Sequence, residues 1–122
     1  MLYNLDDVEI TKLPHKRQFA LHRSHIGDAE YEAAVCAIND YVSNVQDVFI
    51  SSHIPGNDWT DTPYQPLYLA CNHSYDQSAM FFGLIVWKVM MERQDDWYFK
   101  PAAKDEEDVI GMTYFRRTPR QA

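Results

Sequence analysis

Residues 74–94 constrain the fold of this chain most. Ser74-Tyr75-Asp76-Gln77 sets a serine three residues ahead of a glutamine, directly before an apolar run, which is the pattern of a capping box. The spacing predicts a helix from there to about Gln94. Met80, Phe81, Phe82, Leu84, Ile85, Val86, Trp87, Val89, Met90 and Met91 cover nearly its whole circumference. A helix that is apolar all round must be buried on most sides, by a sheet plus loops or by a second subunit, so a homodimer is expected. The run Ala79–Trp87 is broken by Lys88 and falls short of the roughly 20 residues that cross a bilayer, which excludes a transmembrane span. Gly83, costly in mid-helix, points to a close backbone approach.

The rest of the chain supplies partners for that helix. Val8–Leu13 alternates like an edge strand, Pro14–Arg17 breaks the pattern, and Phe19–Arg23 reads as a second strand. Asp28 is placed to N-cap a helix over 29–43. Glu30 and Glu32 lie in its first turn, and Tyr31, Ala34, Val35, Ile38, Tyr41 and Val42 recur at three- and four-residue steps. Asp47–Ser52 reads as a short central strand. Residues 53–66, with Pro55, Gly56, Asn57, Pro63 and Pro66, read as a loop. Pro66–Cys71 suits a strand or one helical turn, with strand favoured. Trp97–Phe99 and Val109–Phe115 read as closing strands around the acidic loop Asp105–Asp108, and Arg116–Ala122 as a frayed tail.

The order is therefore β-β-α-β, a long loop, then β-α-β-β. A shift of 48 residues aligns Leu21 with Leu69, His25 with His73 and Asp28 with Asp76, which suggests pseudo-duplicated halves. The expected fold class is α+β, an antiparallel sheet with two helices packed on one face, in a ferredoxin-like two-layer arrangement. A chain of 122 residues makes this one domain, large enough to need no disulfide or metal staple.

Charge narrows the partners. Between Arg23 and Lys88 there is no Lys or Arg, yet Asp28, Glu30, Glu32, Asp40, Asp47, Asp58, Asp61 and Asp76 all fall there. The formal net charge is −7, and a negative field of this kind favours cationic partners and repels nucleic acid. The acidic N-terminus has no apolar core of a secretory signal, and Cys36 and Cys71 form no CxxC pair. A cytoplasmic protein with two reduced thiols is expected.

Few residues carry recognisable chemistry. With four glycines there is no phosphate-cradling loop, and GxSxG and HExxH are absent. His22-x-x-His25 on a strand would point its rings to opposite faces. Cys71-x-His73 supplies only half of a zinc set, so no metal and no cofactor are expected. Cys36 reads as a packing residue inside its helix. His25 and His73 could converge near two helix starts as a pH-responsive, anion-binding pair. Asp58-Trp59-Thr60-Asp61-Thr62-Pro63-Tyr64 combines two acids with two aromatic faces, which suits a lid over a cation.

Val8–Ile10 through Leu13-Pro14, then Phe19–Arg23, then Gly27 and a helix, together resemble the opening of gyrase-inhibitor-like (GyrI-like) effector-binding domains over residues 8–45. The resemblance implies a two-layer fold of two pseudo-symmetric halves, with a cleft for small, often cationic aromatic ligands. The strand Trp97–Lys100 holds no glutamate, the acid that family places there to pair a cation. The leading expectation is thus a non-catalytic module for a cationic or aromatic small molecule. Its expected ligand-binding residues are Trp59, Tyr64, Asp58, Asp61, Tyr31, Glu32, His25 and His73. The alternatives are an acidic protein that occupies a basic site as a nucleic-acid mimic, and a small enzyme on a ferredoxin-like or dimeric-barrel scaffold using His25, His73 or Cys71.

Overall fold

The structure, a computed structural model, describes residues 1–51, 54, 59, 62–101 and 112–117. Strands β1 (Leu2–Tyr3) and β2 (Glu9–Ile10) open the chain, and helices α1 (Lys16–Ser24) and α2 (Asp28–Asn44) follow. Strand β3 (Val48–Ile50) precedes helices α3 (Gln65–Ala70) and α4 (Tyr75–Glu92), and strands β4 (Trp97–Pro101) and β5 (Met112–Arg116) close it. The class is α+β.

Two segments expected as strands are helices. Phe19–Arg23 lies inside α1, whose residues are mostly straight-chain helix formers, and which turns Phe19 and His22 inward at a three-residue step. Leu21, which a strand would place on the same face as Phe19, stands 54% exposed. Pro66–Cys71 forms α3, where Pro66 sits in the first turn and removes an N–H that would lack a partner anyway. The helix expected over 29–43 is α2, burying Tyr31, Ala34, Ile38 and Val42. Its N-cap is Gly27; Asp28 is the first helical residue and pairs instead with Arg23 at 2.6 Å. Cys36 points outward from α2 rather than packing.

The capping box holds where it matters: Ser74 Oγ accepts from the Gln77 N–H at 3.3 Å. Phe81, Phe82, Leu84, Ile85, Val86, Val89 and Met90 of α4 are all buried within this one chain, so covering the helix requires no second subunit. A Cβ added at Gly83 would meet nothing within 4 Å, so the close approach expected there does not occur.

The sheet order is β2-β1-β4-β5-β3. It is mixed rather than wholly antiparallel, because β1 runs parallel to β4. Among the described residues strand β3 lies at an edge, paired with β5 alone, and not at the centre. Helices α2 and α4 cover one face. Tyr41 meets Phe49 with ring centroids 5.8 Å apart, and Trp87 meets Phe99 at 4.6 Å. Beneath them Leu2 pairs across the sheet with Trp97 and Trp97 with Arg116, while Phe49 stacks on Tyr114 at 5.2 Å.

A shift of 48 residues carries α1 onto α3, α2 onto α4 and β3 onto β4. The matching unit is helix-helix-strand, not the β-β-α-β and β-α-β-β halves read from the sequence.

Arg116, expected in a frayed tail, is buried at the end of β5. Its guanidinium lies 4.4 Å from the Trp97 ring centroid and 3.1 Å from Asp95, donates from Nε to the Gln46 carbonyl, and reaches the Val45 carbonyl at 3.4 Å. A cation thereby meets the negative end of α2. Arg93 reaches the same carboxylate at 2.8 Å and Asn39 Oδ1 at 2.9 Å. Burial alone would push the Asp95 carboxyl up, but hydrogen bonds from Arg93 and Arg116 overrule it and hold the group well below the usual carboxylate range.

Candidate binding site

Strand geometry separates two rows of side chains, because successive residues point to opposite faces. The row Leu2, Trp97, Arg116 faces the helices and is buried. One residue along, Tyr3 lies opposite Tyr98, Tyr98 opposite Phe115, and Phe115 opposite Val48. This second row crosses β1, β4, β5 and β3 on the face away from α2 and α4. Tyr3, Tyr98 and Phe115 are half-buried and Val48 is 56% exposed. Tyr98 and Phe115 lie with ring centroids 5.3 Å apart and planes tilted by 32°.

Charges gather at the β1 end of the row. Asp7, at a left-handed φ of 64° in the turn between β1 and β2, accepts from the Tyr98 hydroxyl and lies 3.2 Å from Arg117 Nε. The Asp96 carboxylate, in the turn before β4, lies 3.8 Å from Arg117 Nη1, and the Asp96 backbone carbonyl accepts the Arg117 backbone N–H at 2.9 Å. The Arg117 guanidinium sits 4.1 Å from the centre of the Tyr3 ring. Two carboxylates, aromatic faces and a planar cation thus occupy one corner of this half-buried face.

The residues expected to bind a ligand lie elsewhere. Trp59 and Tyr64 are buried, their ring centroids 5.9 and 5.1 Å from that of Phe82 on α4, so they anchor their segment to the core and present no open face. Asp58 and Asp61 lie outside the described residues. Tyr31 is buried under Arg23, whose guanidinium carbon is 4.2 Å from its ring centroid, and burial pushes its hydroxyl pKa up. Glu32 is exposed on α2. His25 is exposed as the C-cap of α1, and His73 is exposed after α3 with its ring 5.2 Å from that of Tyr68.

No family model matches the chain. Comparison with curated proteins and with solved structures also returns no match.

One further pairing escaped the sequence reading. Cys71 Sγ lies 3.4 Å from His22 Nδ1, both buried, where α1 meets the end of α3. The partner of Cys71 is therefore His22 and not His73. Burial pushes the thiol up, against a hydrogen bond with Ser78, and pushes the imidazole down, so both groups are held neutral. A nucleophilic cysteine needs a thiolate beside a cationic or basic partner, which this environment opposes. Among the described residues no three His, Cys, Asp or Glu side chains gather as a metal set, and no helix is long and apolar enough to cross a membrane.

Proposed function

We propose that this chain is a non-catalytic binding module that holds a planar cationic or aromatic small molecule against the open face of its sheet. The observation that carries the reading is the register-matched row Tyr3, Tyr98, Phe115 and Val48, whose residues are half-buried or exposed while the row behind it is buried. A planar ligand laid on such rings gains contact area, and a cationic one adds attraction to the ring faces worth about 0.5–1 kcal/mol at an exposed site. Asp7 and Asp96 at one end, Glu9 beside Tyr3 and the net charge of −7 favour the cation over an anion of the same shape.

The size of the face also favours a small ligand. Five strands spaced about 4.8 Å apart, each offering a few residues at about 3.3 Å, give roughly 300 Å² of sheet plane. A stable protein interface needs on the order of 800 Å² per partner. A homodimer is thus a separate proposal, which sedimentation velocity across a concentration series decides. The shared preference for cationic aromatic ligands is the only point at which this reading meets the gyrase-inhibitor-like resemblance.

Titration with a planar cationic dye and an anionic dye of similar shape, followed by dye fluorescence, tests the reading. The cation is expected to bind, and Tyr98→Ala and Phe115→Ala to weaken it at least fivefold each. Equal affinity for the anion, or unchanged affinity in Phe115→Ala, rejects it.

A further inference from the structure

The charged corner of the open face already holds an occupant. Arg117 lays its guanidinium on the Tyr3 ring at 4.1 Å and within 6.0 Å of the Tyr98 centroid. Asp7 receives its Nε at 3.2 Å, and Asp96 lies 3.8 Å from Nη1. The Tyr98 hydroxyl donates to the same Asp7 oxygen that faces Arg117, which fixes where that carboxylate points. Arg117 itself is exposed, whereas its neighbour Arg116 is built into the core. The corner is shaped around a planar cation that the core does not need.

We propose that Tyr3, Tyr98, Asp7 and Asp96 form a guanidinium-recognition site filled in cis by Arg117, and that the module's ligand carries a guanidinium or amidinium group that displaces it. The inference rests on the proposed function, since both use the open face, and it names the chemical class of the ligand. A guanidinium is flat, delocalised and weakly hydrated, so it stacks on a ring while its edge meets carboxylates. An ammonium is a compact, strongly hydrated point charge with no plane to stack. Exposed contacts of this type are individually weak, so the internal occupant is displaceable. Its tether gives it an effective concentration on the order of millimolar, against which a free ligand must compete. Removing Arg117 therefore opens the site.

The test uses the full chain with Arg117→Gln, titrated with methylguanidinium at constant ionic strength and followed by the ring NMR signals of Tyr3 and Tyr98. Arg117→Gln is expected to bind methylguanidinium at least fivefold more tightly than the wild type, and at least fivefold more tightly than it binds methylammonium. Adding Asp7→Asn and Asp96→Asn is expected to abolish that gain. Equal binding by wild type and Arg117→Gln, equal binding of methylammonium, or indifference to the two Asp substitutions would each overturn the proposal. Far-UV circular dichroism of each variant establishes that it is folded. Phe115 lies outside the corner, so Phe115→Ala in the Arg117→Gln chain is expected to keep methylguanidinium binding, and its loss there also overturns the proposal. Planar-dye binding unchanged by Phe115→Ala overturns only the wider reading.

Discussion

Arg116 ties β5 to Trp97, to Asp95 and to the end of α2, and its removal has a calculable cost. Arg116→Ala strips a cation from Asp95 and leaves the Gln46 and Val45 carbonyls at the end of α2 without their donor. It also empties the space over the Trp97 ring. Asp95 is part-exposed and keeps Arg93, so the cost falls mainly on the two carbonyls that lose a charged donor, about 1.5–3 kcal/mol each, and the total is about 3–5 kcal/mol. With an unfolding entropy of about 2.1 cal/mol/K per residue, a chain of this length shifts its midpoint by about 4 °C per kcal/mol. The melting temperature is therefore expected to fall by roughly 12–20 °C at pH 7, read by circular dichroism. Arg116→Lys keeps the charge but not the fork, and is expected to recover less than half of the loss. The acid side supplies an independent check. Because the Asp95 carboxyl is held below its ordinary range, its contribution is present above about pH 4 and is lost as pH falls through the depressed value. Arg93 does most of that holding down, so Arg116→Ala should lower the stability profile while only partly flattening it below about pH 4. A loss under about 1 kcal/mol, the range of an exposed pair, would refute the reasoning.

His22 and Gly83 offer two more tests. Burial, aided by the charge of His25, lowers the His22 pKa, so the unfolded chain binds the proton more readily than the folded one. Stability is then full above about pH 6.5 and is lost as pH falls through the depressed value; His22→Leu should remove that slope below about pH 6.5 in urea midpoints, and an unchanged slope would place its origin elsewhere. Gly83→Ala, in mid-helix with open space around the new methyl, should stabilise by about 1 kcal/mol in the same assay, whereas a loss would mean that something packs there.

How much of this was legible depends on the range of the contacts. Helix α4 could be read because its cap and its apolar residues are local, and α2 because Tyr31, Ala34, Ile38 and Val42 repeat on one side. Helix α1 was misread because five residues, Phe19 to Arg23, satisfy a two-residue and a three-residue period equally. The lack of β-branched residues there was the discriminating signal. Pro66 announced α3 in the same way, as a residue at home in a first helical turn. The candidate site was out of reach by contrast. Tyr3 and Tyr98 meet through a parallel pairing of the first and fourth strands, and Cys71 meets His22 across 49 residues. No local pattern encodes either contact.

The acidic block shows how a sound electrostatic premise can point to the wrong residues. The cation-free stretch between Arg23 and Lys88 builds α2, β3, α3 and most of α4, so apart from the edge strand it forms the helical layer. Asp28, Glu30, Glu32 and Asp40 stand exposed on α2, behind the sheet as seen from the open row. A layer spacing on the order of 10 Å, plus the reach of those side chains, exceeds the Debye length of about 8 Å at physiological salt. Their field at Tyr3 and Tyr98 is therefore largely screened, and Asp7 and Asp96, which lie outside the block, set the local preference for a cation. Binding at the row should then respond to Asp7→Asn far more than to Glu32→Gln, although both substitutions change the net charge by the same amount.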